Sequence, residues 1–373
     1  MWGDPISWIL WTVLLFLMMW LGPKIMLTSL LSSLEKEIKE MENKASETER
    51  KVLHSIVKRP SKEIRRRFSR FLDFFSIYPV DLDPYGIVKK LDHIVKNSEE
   101  KIKSFVKQLA PSSTPEKEMD YKAALSATMA TRQIAKIMRH YLEVAKKYKV
   151  LQIAWLVQMQ VPMAKEIQNA VSKAAEAFIK EIPIGDSIGP LIAAMLIDGK
   201  PEIYREEEFV VGKTKIAGRE VYVAKALGPG GTTGYPGKFL KKFLKKKKIT
   251  RIITLDAALK FEGEKTGSVA EGVGVAIGGI GVERFEIEEE ATKRNIRLDA
   301  IVVKQSNEEA IIPMKKEIAK SVDEVIERVR EIVESCDRKE KILIIGVGNT
   351  CGVGNTRKEA EKVLKEIRRK RQQ

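Results

Sequence analysis

The chain has 373 residues, too many for one compact domain, so two folding units and a membrane segment are the natural partition. Hydrophobic residues make up 44% and charged residues 32%, which excludes a largely disordered chain, and only two cysteines, Cys336 and Cys351, exclude a disulfide framework. Lys and Arg number 67 against 51 Asp and Glu, a net +16 that draws the chain first to anionic lipid headgroups and second to nucleic acid, the less favoured partner.

The first element is a membrane span. Trp2 to Leu21 read WGDPISWILWTVLLFLMMWL, about the length of a hydrocarbon core, with Asp4 at one edge and Trp2, Trp8, Trp11 and Trp20 toward the ends. Asp4 and Pro5 suit an N-cap and a first helical position. No basic residue precedes the run and no small-residue cleavage site follows it, so an uncleaved anchor is expected over residues 1–26. Lys24, Lys36, Lys39 and Lys44 follow it, which predicts a single-pass protein of the cell membrane with its C-terminal bulk in the cytoplasm.

An all-α region is expected over 27–182. Leu27, Leu31, Leu34, Ile38, Met41 and Ala45 alternate spacings of four and three. That is the seam of a coiled coil, as in a homo-oligomer, of an antiparallel hairpin, or of a helix packed on its own domain. In RPSKEIRRRFSRFLDFF, Phe68, Phe71 and Phe75 form one face backed by Arg65, Arg66, Arg67 and Arg70, a core stripe with a solvated basic side. Pro79 and Pro84 are read as ending that helix. Residues 119–181 predict one or two long helices interrupted at Pro162, and the apolar stretch 150–163, with three glutamines, reads as a buried core helix rather than a second span. His54, His93 and His140 are read as surface or satisfied histidines.

From about residue 183 the composition turns to glycine-rich loops and β-branched runs, and an α/β domain is expected over 183–373. Strands are predicted at 208–211, 220–227, 250–256, 272–278, 298–304 and 341–348, with helices near 187–197, 237–247, 284–295, 314–335 and 357–370. The alternation predicts a mostly parallel sheet covered by helices on both faces. Within KFLKKFLKKKK, 238–248, Phe239, Leu240, Phe243 and Leu244 form a core stripe under a lysine face.

In such a sheet ligands bind beyond the carboxyl ends of strands, so the chemistry is sought in Asp186, Asp256 and the turn after 341–348. Two close carboxylates sharing one proton can activate water and protonate a leaving group, whereas Asp186 alone would cap the helix it precedes and Asp256 would anchor a loop. Asp186-Ser-Ile-Gly-Pro-Leu and Ile-Thr-Leu-Asp256-Ala-Ala-Leu resemble the spore germination protease and the hydrogenase-maturation protease superfamily, of phosphorylase/hydrolase-like fold. The resemblance covers half of the chain. It implies a metal-free peptidase acting on a peptide or protein with these two aspartates and no cofactor. No histidine follows His140, which argues against a nickel site; a hard cation would have Asp186, Asp256, Glu262, Glu264 and Glu271 as candidate ligands. Taken whole, anchor included, the chain resembles an uncharacterised archaeal membrane family.

GVGNTCGVGNTR, 346–357, resembles the opening loop of peptidyl-tRNA hydrolase without that enzyme's histidine, and with GPGGTTGYPG, 228–237, it is a weak phosphate-loop signal. Cys351 has no histidine to activate it and reads as inert. In the related proteases a central strand leads directly into the first aspartate; here that strand is missing before Asp186 and a fitting one, KILIIGVG, stands at the chain's end. A circular permutation follows as an expectation, with 341–348 at the sheet centre, parallel to 250–256, and Asn349 beside Asp186 to orient a carboxylate or donate to an oxyanion. The alternative function is a non-catalytic membrane-associated scaffold on a retired hydrolase fold.

Overall fold

The computed structural model describes residues 5–77, 86–276 and 282–369. Trp2, Asp4, Pro79, Pro84 and the end of the expected 272–278 strand lie outside the described residues.

Helix α1 runs unbroken from Pro5 to Ile56. From Ile6 to Met26 its apolar side chains face outward, Trp8 at 71% and Phe16 at 66% exposure, which makes this the one described helix long and apolar enough to cross a membrane. Beyond Leu27 the same helix becomes amphipathic: Leu34, Ile38, Met41, Ala45, Thr48 and Val52 are buried at alternating spacings of four and three. They pack on α4 (Pro115–Tyr148) and α5 (Leu151–Ile179) in a three-helix bundle of one chain. Glu35, Glu42 and Glu49 pair with Lys146, Arg139 and Arg132, each pair of numbers summing to 181, the signature of antiparallel helices in heptad register. Half-exposed ion pairs of this kind contribute about 0.2–1 kcal/mol each, so the apolar seam carries the stability and the charges fix the register. Helices α2 (Lys62–Phe71) and α3 (Ile87–Leu109) close the lower end, with Phe71 stacked on Phe105 at 3.9 Å.

Two expectations for this region are corrected. Pro162 does not interrupt a helix; α5 passes through it because Val157 and Val161 stay buried in the bundle, and the break falls at Lys149, which adopts φ 53°. The aromatic stripe ends early: Phe68 is buried, but α2 stops at Phe71 and Phe75 is 70% exposed.

The C-terminal region is a seven-stranded sheet in the order β1 (Asp198–Tyr204), β2 (Phe209–Ile216), β3 (Arg219–Ala226), β7 (Ile342–Gly346), β4 (Arg251–Leu259), β6 (Arg297–Gln305), β5 (Val269–Val273). The sheet is mixed rather than mostly parallel. β3, β7, β4 and β6 are parallel, while β1 and β2 fold back as hairpin strands and β5 returns antiparallel on the far edge. The β2–β3 hairpin is set by Ala217 and Gly218, both with positive φ. Edge strand β1 was absent from the sequence reading because DGKPEIY carries a glycine and a proline, which an edge tolerates.

Helices cover both faces. Ile253, Leu255, Ile342 and Ile344 face α6 (Ile188–Leu196), α10 (Lys316–Ser335) and α11 (Arg357–Arg369), while Ile252, Leu343 and Ile345 face α7 (Pro236–Lys246) and α8 (Val282–Lys293). The stripe Phe239, Leu240, Phe243 and Leu244 of α7 is buried as the spacing requires. Strand β7, last in the chain, holds the centre and pairs in parallel with β4, Ile344 opposite Ile253.

Candidate active site

The site forms where the parallel strands end. The β7–β4 ladder closes at Gly346 opposite Leu255, after which the next residue of β4 is Asp256. Val347 still donates to the Leu255 carbonyl at 2.8 Å; the chain then turns away through Gly348 with φ 128°. Across this opening lies a 3-10 turn, Gly185–Ser187, that carries Asp186 into α6. Close approach is what the glycines permit: a Cβ on Gly348 would lie 2.0 Å from the Asp186 carbonyl oxygen, and one on Gly189 would lie 2.3 Å from the carbonyls of Leu255 and Val347.

The Asn349 N–H donates to Asp186 Oδ2 at 2.7 Å, and the Ala257 N–H donates to Asp256 Oδ1 at 2.6 Å. Neither carboxylate has a cationic partner among the described residues. Burial pushes Asp186 above the ordinary aspartate range, countered by the Asn349 N–H. Asp256, only 4% exposed, is pushed well above that range, first by burial and then by the Asp186 charge. The charge of Asp186 therefore adds to burial in disfavouring ionisation of Asp256. Their surroundings are also short of partners. Of seven buried side-chain polar atoms without a hydrogen bond among the described residues, three belong to Ser187 and to Gln305, whose amide abuts Gly185.

Two family models match the chain in succession. Residues 8–181 match a protein of unknown function (DUF1512) N-terminal domain, and residues 184–354 match a domain of unknown function (DUF1512) C-terminal. The chain belongs to this family. The gap between the two matches falls between the end of α5 and the turn that bears Asp186, and the C-terminal match extends through the Asn349 loop. No curated protein and no solved structure matches the chain.

The remaining candidate residues fall elsewhere. The Asn349 side chain does not reach Asp186; its Oδ1 accepts from the Cys351 N–H at 2.9 Å, and the backbone N–H is what meets the carboxylate. Glu264 lies in the loop after β4, takes the Phe261 N–H and pairs with Lys304, contacts that hold it below its usual range. Glu271 lies on edge strand β5 and pairs with Arg328. Glu262 lines a groove of about 640 Å³ between α5 and the segment Ser306–Lys315, which neither aspartate lines. The acidic set is therefore dispersed, and the described residues hold no group of three ligands that could bind a metal ion.

The glycine-rich loops pack against protein rather than standing open. Gly231 donates to Asp120 of α4 at 2.8 Å, and a Cβ on Gly230 would meet the Glu116 carbonyl, so the helical region's own carboxylate sits where an anion would bind. Cys351 is fully buried; burial and the Asp120 charge push its thiol far up, which suits the inert reading.

Asp120 and Lys225 are titratable residues that the sequence reading passed over. Asp120, 1% exposed, is pushed up to about 7, mainly by burial. Lys225 is fully buried in β3, its Nζ donating to the Ala226 carbonyl and to Asn355 Oδ1, and burial lowers it to about 7. A lysine inside the apolar run EVYVAKAL was the one available signal; Asp120 gave none, since an acid in the first turns of a helix ordinarily faces water.

Proposed function

We propose that this chain is a membrane-tethered, cytoplasmic hydrolase that cleaves peptide bonds with a proton-sharing aspartate pair. The observation that carries the reading is the placement of two carboxylates without a cation, one buried and one half-buried, at the carboxyl ends of the central parallel strands. Asp256, the more buried, holds the shared proton and delivers it to the leaving amine. Asp186, partly exposed and steadied by the Asn349 N–H, is the ionised partner that takes a proton from the attacking water. No cofactor enters this scheme. The Asn349 side chain, anchored through Oδ1, is left with Nδ2 to donate toward the substrate carbonyl oxygen. The resemblance of the Asp186 and Asp256 segments to the germination-protease type supports the choice of a peptide substrate, and the central position of β7 supports the permuted arrangement.

A second reading is favoured by the closure of Asp256 on its own backbone. A carboxylate 4% exposed and bonded to Ala257 N–H also suits a retired site in a scaffold that recruits a partner at the membrane. The deciding experiment is a peptide-library cleavage assay with the detergent-solubilised full chain. The hydrolase reading expects cleavage that falls by about 10²–10⁴-fold in Asp256→Asn and in Asp186→Asn. Cleavage that survives Asp256→Asn removes the pair from the mechanism, and no cleavage by any form supports the scaffold.

A further inference from the structure

The α4–α5 turn leaves a group of side chains unaccounted for. The stretch expected to be a buried core helix buries only one face: Ala154, Val157 and Val161 are inside, while Tyr148 is 60%, Val150 37%, Trp155 43% and Leu156 61% exposed. Lys147 and Lys149 flank Tyr148, both exposed.

The bundle register fixes where these residues lie along α1. Antiparallel pairs of α1 and α4 sum to 181, since 35 and 146, and 42 and 139, are partners, so Val150 is level with Leu31. Helix α5 runs parallel to α1 with an offset of 125, from Lys51 with Glu176 and Glu40 with Lys165, so Trp155 is level with Leu30. Ile153, like Leu27, Leu30 and Leu31, packs against the same buried cluster of the bundle. The outward-facing apolar run of α1 ends at Met26, and Lys24 lies over the Trp20 ring at 3.7 Å, as a side chain does at a lipid boundary. At about 1.5 Å per residue of unbroken helix, the turn stands about 6–8 Å beyond that boundary, inside the headgroup layer.

We propose that the α4–α5 turn is a second membrane contact, with Val150, Trp155 and Leu156 seated among lipid headgroups, Tyr148 at their outer edge about 10 Å beyond Met26, and Lys147 and Lys149 on their phosphates. The inference rests on α1 spanning a bilayer. An amphipathic aromatic beside lysines is the side-chain chemistry of an interface, and anionic lipid matches the charge. By the same offset Leu156 is level with Leu31, the height of Val150, and joins the contact, while Met159 and Met163 stand higher on α5 and are left outside it. Two attachments, one spanning and one resting, would fix the tilt of the body rather than let it swing on its stalk.

The test uses the full chain in vesicles of phosphatidylcholine with about one-third phosphatidylglycerol, carrying nitroxide quenchers at the headgroup or deep in the acyl chains. An environment-sensitive fluorophore is placed singly at Leu14→Cys, Val150→Cys or Tyr141→Cys; the two native thiols are buried. By the same register Tyr141 is level with residue 40, about 20 Å beyond Met26. We expect headgroup quenching at Val150 several-fold above that at Tyr141, deep quenching at Leu14, and loss of the Val150 signal in Lys147→Glu/Lys149→Glu. Leu14 quenched with Val150 no more quenched than Tyr141 overturns the second contact and leaves the anchor standing; a second copy covering the turn would give this same result. Leu14 unquenched overturns the membrane reading itself.

Discussion

An aspartate buried without a cation either keeps its proton or destabilises the fold that encloses it; Asp256 is such a group, and the charge of half-buried Asp186 acts on it. What holds them there is backbone rather than side chain. Gly348 lets the Asn349 N–H meet Asp186, because its φ of 128° and the 2.0 Å from a virtual Cβ to the Asp186 carbonyl oxygen leave no room for any other residue. Gly348→Ala should destabilise the chain by about 3 kcal/mol or more in urea unfolding, since both strain and a rigid backbone collision are added. A loss under about 0.5 kcal/mol would mean that the loop does not approach the turn so closely. Asn349 was legible in the sequence because it stands where a β-branched run gives way to a glycine loop, Asp256 because it follows the run Ile252–Leu255, and Asp186 because it opens a helix. The partners that define their chemistry were not, because N–H donors come from any residue and leave no mark on residue type.

At the scale of elements, the helical region and the α/β domain are joined through a carboxylate. Asp120 of α4 reaches the Gly231 N–H, and burial raises it to about 7 from an ordinary 3.8. A carboxyl group raised in the fold gives its full stability below the unfolded value near 3.8 and loses it as pH rises through about 7. Asp120→Asn keeps an acceptor for Gly231 and has no charge to bury. Its melting temperature should match wild type at pH 4 and exceed it increasingly up to pH 8, by a margin on the order of a few kcal/mol in stability. A difference that stays flat across this range would show that Asp120 is not buried at the junction. Residue spacing revealed the helices well, since the four-three seam of α1 needs only apolar periodicity, but not their partners. Whether that seam paired between chains or within one was decided by Arg132, Arg139 and Lys146, more than eighty residues away. The mixed character of the sheet was hidden for a similar reason. An antiparallel edge strand such as β5, Val269–Val273, is short and exposed and carries no continuous apolar run.

For the whole molecule, one helix of 52 residues connects an outward-facing apolar segment to the bundle, and the bundle packs on the loops that flank the aspartate site. The site is therefore held at a set height above any membrane that α1 crosses. The apolar N-terminal helix, the helical body and the α/β class could be read from composition along the chain; the central place of β7 could be inferred only from a strand missing before Asp186. The account stands on one physical claim, that Asp186 and Asp256 hold a single proton between them. Infrared spectroscopy of the full chain in bilayers, labelled at aspartate carboxyl carbon and carrying Asp120→Asn to remove the other raised aspartate, measures this directly. We expect a protonated-carboxyl band that persists well above the pH near 3.9 at which an unperturbed aspartate ionises, and that disappears when Asp256→Asn is added. Loss of the band at that ordinary pH, unaltered by Asp256→Asn, would contradict a shared proton and with it the proposed chemistry.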